Sequence, residues 1–173
     1  MSELLEAPTI WELVRHRAEL SGDRPLLLDP QGRRVGFAEF AAEVERVAAG
    51  LVGLGIGPGT LVTWQLPTRV ESIVISMALA RLGAVQNPIL HLYREREVGA
   101  VLRASRPDFF IVPGVWKDRD FGDMARTLSA ELDPAPTVLE IGTDLPYGDV
   151  GTLPDPPSSG TAVRWIYYTS GTT

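Results

Sequence analysis

The chain has 173 residues, 45 % of them apolar, so it can bury a substantial core, and length alone suggests one domain. Its net charge is −6 with no block of like charge, which argues against nucleic acid or an anionic membrane surface as partner. With no cysteine there is no disulfide, thiolate metal site or thiol nucleophile, and nothing contradicts a cytoplasmic location.

The first residues lack a basic segment followed by an apolar run, so no signal peptide is expected. Thr9-Ile10-Trp11-Glu12 has the form of a capping box, and Ile10, Leu13, Val14 and Ala18 follow at helical spacing, closing near Ser21-Gly22. His16 lies off that stripe and reads as solvent-facing. Residues 25–29 and 33–35, joined around Pro30-Gln31-Gly32, read as a hairpin. Phe37, Phe40, Ala41, Val44, Val47, Ala48 and Leu51 then step by three and four. This predicts a helix with Gly36 at its N-cap, Glu39 in the capping-box position and Gly55 at its end.

From Pro58 the pattern alternates. Strands are expected over 61–66, 85–90, 109–112 and 137–141, and helices over 70–82, 94–105 and 118–132. The helix over 70–82 is apolar around much of its circumference but far short of the roughly 20 residues that a membrane span needs. Apolar strands alternating with helices indicate an α/β fold, a mostly parallel sheet with helices on both faces. Residues 142–161 hold four prolines, four glycines and three aspartates, and read as a long surface connection. Asp144, Asp149 and Asp155 sit on no helix or strand that would gather them around a metal. The division expected is therefore an α/β portion over 1–141, the connection over 142–161, and a terminal strand and loop over 162–173.

That last portion carries the chemistry. Trp165, Ile166, Tyr167 and Tyr168 have strong strand preference, so residues 162–168 read as a strand covered on both faces. It empties into Thr169, Ser170, Gly171, Thr172 and Thr173. Their hydroxyls donate hydrogen bonds, and a residue without a side chain lets backbone N–H groups curl around an anion. The combination suits a polyphosphate. It is not a Walker A loop, because the G-x-x-x-x-G-K-[ST] spacing is absent.

Tyr168-Thr169-Ser170-Gly171-Thr172-Thr173 resembles the opening of the phosphate-binding motif of the AMP-forming adenylating enzymes: acyl-CoA synthetases, aryl-acid ligases, luciferases and peptide-synthetase adenylation domains. The similarity extends along the chain. Residues 51–62 are similar to that family's helix end, tight turn and strand, with Thr60 where Asp is usual. Residues 78–89 are similar to its buried helix and the strand after it, and residues 94–102 to its next pattern. Within the family, Asn87-Pro88-Ile89-Leu90-His91 followed by Tyr93-Arg94-Glu95-Arg96-Glu97 looks most like ligases for alicyclic, aromatic or medium-chain acids.

The resemblance implies the amino-terminal portion of a longer enzyme. That enzyme would use ATP, Mg²⁺ and coenzyme A to join a carboxylic acid to coenzyme A through an acyl adenylate. Thr169, Ser170, Gly171, Thr172 and Thr173 would hold the ATP phosphates. No catalytic or metal-binding residue is assigned here, and the chain alone is expected to be inert. The remaining carboxyl-terminal half of the same enzyme is a candidate partner. Two alternatives stay open: an aryl or amino acid loaded onto a carrier protein, and a non-catalytic α/β interaction module. His91 reads as a hydrogen-bonded loop histidine, with a place near the active-site mouth as the alternative. Arg94, Arg96, Arg103 and Arg106 read as a solvated helix face, with a coenzyme A phosphate as the alternative partner.

Overall fold

The computed structural model describes residues 6–169. Ser170, Gly171, Thr172 and Thr173 lie outside the described residues. The chain divides into two compact units. The first takes the chain up to Pro58, Thr68–Ala84 and Leu145–Ala162; the second takes Gly59–Pro67, Val85–Asp144 and the chain from Val163.

The first unit is built on three helices. Helix α1, Ile10–Ser21, starts where the Thr9 hydroxyl accepts the Glu12 N–H at 3.1 Å. The hairpin β1 (Pro25–Leu28) and β2 (Arg34–Gly36) follows, and the Asp29 carboxylate closes its turn by accepting from the Gln31 and Arg33 amides. Helix α2, Phe37–Gly53, opens at Gly36, whose N–H donates to Glu39. Helix α3, Val70–Leu82, ends at Gly83 with φ 72°, a left-handed cap that favours glycine. Trp11, Phe40, Val44, Val47, Leu51, Val74, Ala78 and Leu79 fill the core. Arg81 closes the α3 stripe in sequence but is buried in the structure. Its Nη1 donates to the Pro154 carbonyl at 3.0 Å, Glu45 lies 3.6 Å away, and the Trp11 ring is within cation–π range.

The segment 142–161 is more than a surface connection. Leu145 is buried, the Tyr147 hydroxyl donates to Glu43, Gly148 N–H donates to the Arg46 carbonyl, and Arg81 holds Pro154. Asp149 caps a 3₁₀ turn, Val150–Thr152, by accepting from Gly151 N–H. The polar composition made this segment look loose; the tethers are long-range and leave no local pattern.

The second unit is a four-stranded parallel sheet in the order β4-β3-β5-β8, formed by β3 (Leu61–Trp64), β4 (Val85–Pro88), β5 (Phe109–Val112) and β8 (Thr137–Glu140). Helix α4 (Glu95–Ser105) and helix α5 (Phe121–Ser129) cover one face, with Val98, Leu102, Met124 and Ala125 packed on Phe110 and Val112. The fold is α/β with a parallel sheet flanked by helices.

Two expected elements differ. A short hairpin, β6 (Val115–Trp116) and β7 (Arg119–Asp120), occupies part of the expected helix 118–132, so α5 begins only at Phe121, capped by the Asp120 carboxylate on Asp123 N–H at 2.8 Å. The hairpin turns through Lys117 and Asp118 at φ 49° and 60°, without the glycine that usually marks such a turn. The expected strand 162–168 is a single parallel bridge, Gln86 to Trp165. It pairs with β4 on one side only, and Val163, Tyr167 and Tyr168 are exposed where coverage of both faces was expected.

Candidate functional site

The carboxyl ends of β3, β4 and β5 and the bridged stretch 163–169 gather within the second unit. Strand β3 leads to β4 on one side of the sheet and β5 leads to β8 on the other. Adjacent carboxyl ends whose connections diverge in this way form the crevice where open α/β sheets bind ligands.

Three buried carboxamides organise this edge. Gln65 follows β3, is 0 % exposed, and its Nε2 donates to the carbonyls of Leu90 at 3.0 Å and Tyr93 at 3.1 Å. That fixes the loop after β4 to the end of β3. Gln86 accepts from Trp64 Nε1 at 3.2 Å, while its backbone N–H donates to Arg164 O and its carbonyl accepts from Ile166 N–H, both at 2.8 Å. Asn87 Nδ2 donates to Thr63 Oγ1 and to Tyr168 Oη, each at 3.2 Å. Thr63 and Asn87 face each other in register on β3 and β4. Together these bonds bring 163–169 along the β4 edge and deliver Thr169, which is exposed, at the end of the sheet. Trp165 and Tyr167, two residues apart, stack at 6.1 Å between ring centroids.

Of the expected phosphate-contacting residues, Thr169 is thus placed; Ser170, Gly171, Thr172 and Thr173 are outside the described residues. Gln65 and Gln86 were not singled out in the sequence, and Asn87 entered only as the first residue of the run to His91. The available signal was polarity in the wrong place: Gln and Asn are poor company for a fully buried strand, where each must find partners.

His91 sits on the loop that Gln65 holds, its ring edge-on to Trp116 with centroids 5.5 Å apart. Arg94 is spent on that loop, its Nη1 donating to the carbonyls of Leu92, Tyr93 and His91. Its backbone N–H donates to Glu97, and that bond holds the Glu97 carboxyl below its usual range. Arg103 lies 3.7 Å from Glu131, and Arg106 forms the α4 cap. Of the four arginines expected on a solvated helix face, Arg94 and Arg106 are instead the two caps of α4, while Arg96 and Arg103 lie within it and Arg96 is exposed.

A hollow of about 300 Å³ in the first unit, walled by residues such as Leu13, Leu27, Phe37, Ile73 and Met77, has Arg17 as its polar side chain. It lacks the convergent polar groups that a reaction site requires. Among the described residues no group of His, Asp or Glu could hold a metal ion, and no helix is long and apolar enough to cross a membrane.

A family model described as AMP-binding enzyme matches residues 14–173. The chain belongs to the AMP-binding enzyme family. Among curated members of this family, a 2-hydroxy-7-methoxy-5-methyl-1-naphthoate-CoA ligase from Streptomyces carzinostaticus is 33% identical over 112 residues, 65% of this chain and 20% of the relative. A salicyl-AMP ligase / salicyl-S-ArCP synthetase from Mycobacterium tuberculosis is 31% identical over 161 residues, 88% of this chain and 28% of the relative. Among solved structures, the inhibitor-bound N-terminal domain of FACL13 from Mycobacterium tuberculosis superposes with a TM-score of 0.74 at 28% identity, covering 95% of this chain and 42% of that one. The chain therefore spans between a fifth and a third of the length of these two curated relatives.

Proposed function

We propose that the chain is the amino-terminal part of an ATP-dependent, AMP-forming acyl-CoA ligase acting on a medium-chain, alicyclic or aromatic carboxylic acid. The observation that carries this reading is the delivery of Thr169 from the bridged edge of the sheet, directly ahead of a run of hydroxyls and a glycine, in a chain of the AMP-binding family. The share of each relative that the chain covers supports a longer protein that includes it.

In the first step a substrate carboxylate oxygen bonds to the α-phosphorus of ATP, and the bond from that phosphorus to the pyrophosphate oxygen breaks. In the second the coenzyme A thiolate attacks the acyl carbon and AMP leaves. Thr169, Ser170, Gly171, Thr172 and Thr173 would hold the β- and γ-phosphate oxygens, and their donors stabilise the charge that collects on pyrophosphate as it departs. Mg²⁺, which would neutralise phosphate charge, finds no fitting set of ligands among the described residues.

The test is carboxylate-dependent exchange of radiolabelled pyrophosphate into ATP by the full-length protein across a panel of aromatic, alicyclic and medium-chain acids. Exchange with at least one acid class is expected; none with any acid would overturn the proposal. A second reading, transfer to a carrier protein, is favoured by the salicyl-S-ArCP synthetase relative. Offering coenzyme A and a phosphopantetheinyl carrier side by side to the adenylated enzyme separates the two.

A further inference from the structure

We infer that the hollow of about 300 Å³ in the first unit is a binding site for a small amphiphilic carboxylate, with Arg17 taking the head group and the walls taking the apolar body. Small-ligand pockets run from about 300 to 1,000 Å³, so the space suits a single ring or a short acyl chain.

Helix α1 presents Ile10, Leu13, Val14 and Arg17 to the hollow at helical spacing, so an apolar face of the helix ends in a guanidinium. The core does not close that face. Ile10 is 46 % exposed and Leu13 36 %, and Ile73, which lines the hollow from α3, is 38 % exposed. An apolar recess open to water gains free energy when an apolar body fills it.

Arg17 gives the recess its selectivity. On the same helix Arg15 is held by Glu12 at 2.9 Å and by Glu19 at 2.7 Å, which neutralise it. Arg17 has no such support: its helical neighbours are Leu13, Val14, Leu20 and Ser21, and among the described residues it has no carboxylate partner. Its guanidinium instead lies over the Phe37 ring, 4.9 Å from the centroid, and Phe37 is itself a wall of the hollow. The ring holds the cation by its charge and leaves the N–H donors to take a carboxylate bidentately. A neutral ligand would fill the walls and leave the cation unpaired; a cationic one would be repelled. Binding there needs neither ATP nor the residues expected to hold its phosphates.

The experiment uses full-length protein labelled at the methionine methyls. Met77 lines the hollow, and Met124, buried in the core of the second unit, is the internal reference; each resonance is assigned by its Met→Leu variant. Octanoate, octan-1-ol and octylammonium are titrated in turn, without ATP. Octanoate should move the Met77 methyl saturably and leave Met124 in place, octan-1-ol should bind about tenfold more weakly, and octylammonium should leave Met77 unmoved. Arg17→Gln should bring octanoate down to the affinity of octan-1-ol, and Arg17→Lys should restore part of the difference. An unchanged Met124 methyl shows that each variant is folded, and the comparison of the three probes on unsubstituted protein needs no variant. The inference is overturned by a Met77 methyl that octanoate does not move, by equal affinity for octanoate and octan-1-ol, by wild-type octanoate affinity in Arg17→Gln, or by equal movement of Met124. A Met77 shift that follows protein concentration without any probe would mean that a second copy fills the hollow, and would overturn it too. A protein that exchanges no pyrophosphate with any acid would sink the ligase reading, while the Met77 methyl would still decide this site.

Discussion

The hydroxyl of Tyr147 donates to the carboxylate of Glu43 at 2.7 Å, joining residues 104 positions apart. Glu43 is buried on α2 and is also held by Arg46 at 2.9 Å, while the Arg46 guanidinium lies over the Tyr147 ring. The bond fastens the segment after Leu145 to the helix it crosses.

That hydrogen bond raises the Tyr147 pKa above its ordinary value, with desolvation adding to the rise. A phenol whose folded-state pKa is raised stabilises the fold fully below the unfolded pKa of about 10 and loses that contribution as pH rises through the folded value. Denaturant unfolding of the full-length protein should therefore show an alkaline loss of stability beginning near the unfolded pKa and continuing through the folded one. Tyr147→Phe should remove that component. Because the ring is 55 % exposed, the cost at neutral pH should be modest, about 0.5–1 kcal/mol.

The same crossing explains two glycines. A Cβ on Gly50 would overlap the Pro146 carbonyl, and one on Gly148 would overlap the Ala49 and Gly50 backbone. Three residues along α2, a Cβ on Gly53 would meet nothing within 4 Å. Gly50→Ala and Gly148→Ala should each destabilise by about 1–3 kcal/mol through overpacking. Gly53→Ala should instead stabilise by about 0.5–1 kcal/mol, because alanine loses less backbone entropy in a helix. Unfolding midpoints for the three variants, compared in one buffer, check the opposite signs.

Helix α4 ends on a non-glycine residue in the left-handed region, Arg106 at φ 47° and ψ 63°, followed by Pro107. Arg106 is exposed, so little packing opposes its replacement. Arg106→Gly should raise stability by about 0.5–1 kcal/mol by removing the crowding of Cβ against the following carbonyl. Equal or lower stability in denaturant unfolding would count against this assignment.

Much of the fold was legible because local chemistry and tertiary structure agree. Thr9 before Ile10, Gly83 after Leu82 and Pro113-Gly114 after Val112 mark boundaries that the structure reproduces. What escaped depends on contacts distant in sequence. Lys117-Asp118 makes a hairpin turn without the residue type that announces one. The aromatic run at Trp165 has a strand's composition but is bridged to β4 on one edge, so propensity overstated its pairing and coverage. At the site, the hydroxyls from Thr169 onward are an expectation from residue type, whereas the Asn87 to Tyr168 bond could not be expected, because it spans 81 positions and an asparagine in a strand does not declare its partner.

The decisive test of the phosphate-loop reading is the rate of carboxylate-dependent pyrophosphate exchange in full-length Ser170→Ala and Thr172→Ala. A hydrogen bond to a charged group contributes about 1.5–3 kcal/mol, so each variant should be slower by roughly ten- to hundred-fold with folding unchanged. A rate within about twofold of the unsubstituted protein is less than 0.5 kcal/mol and would contradict any role for these hydroxyls in holding the departing pyrophosphate.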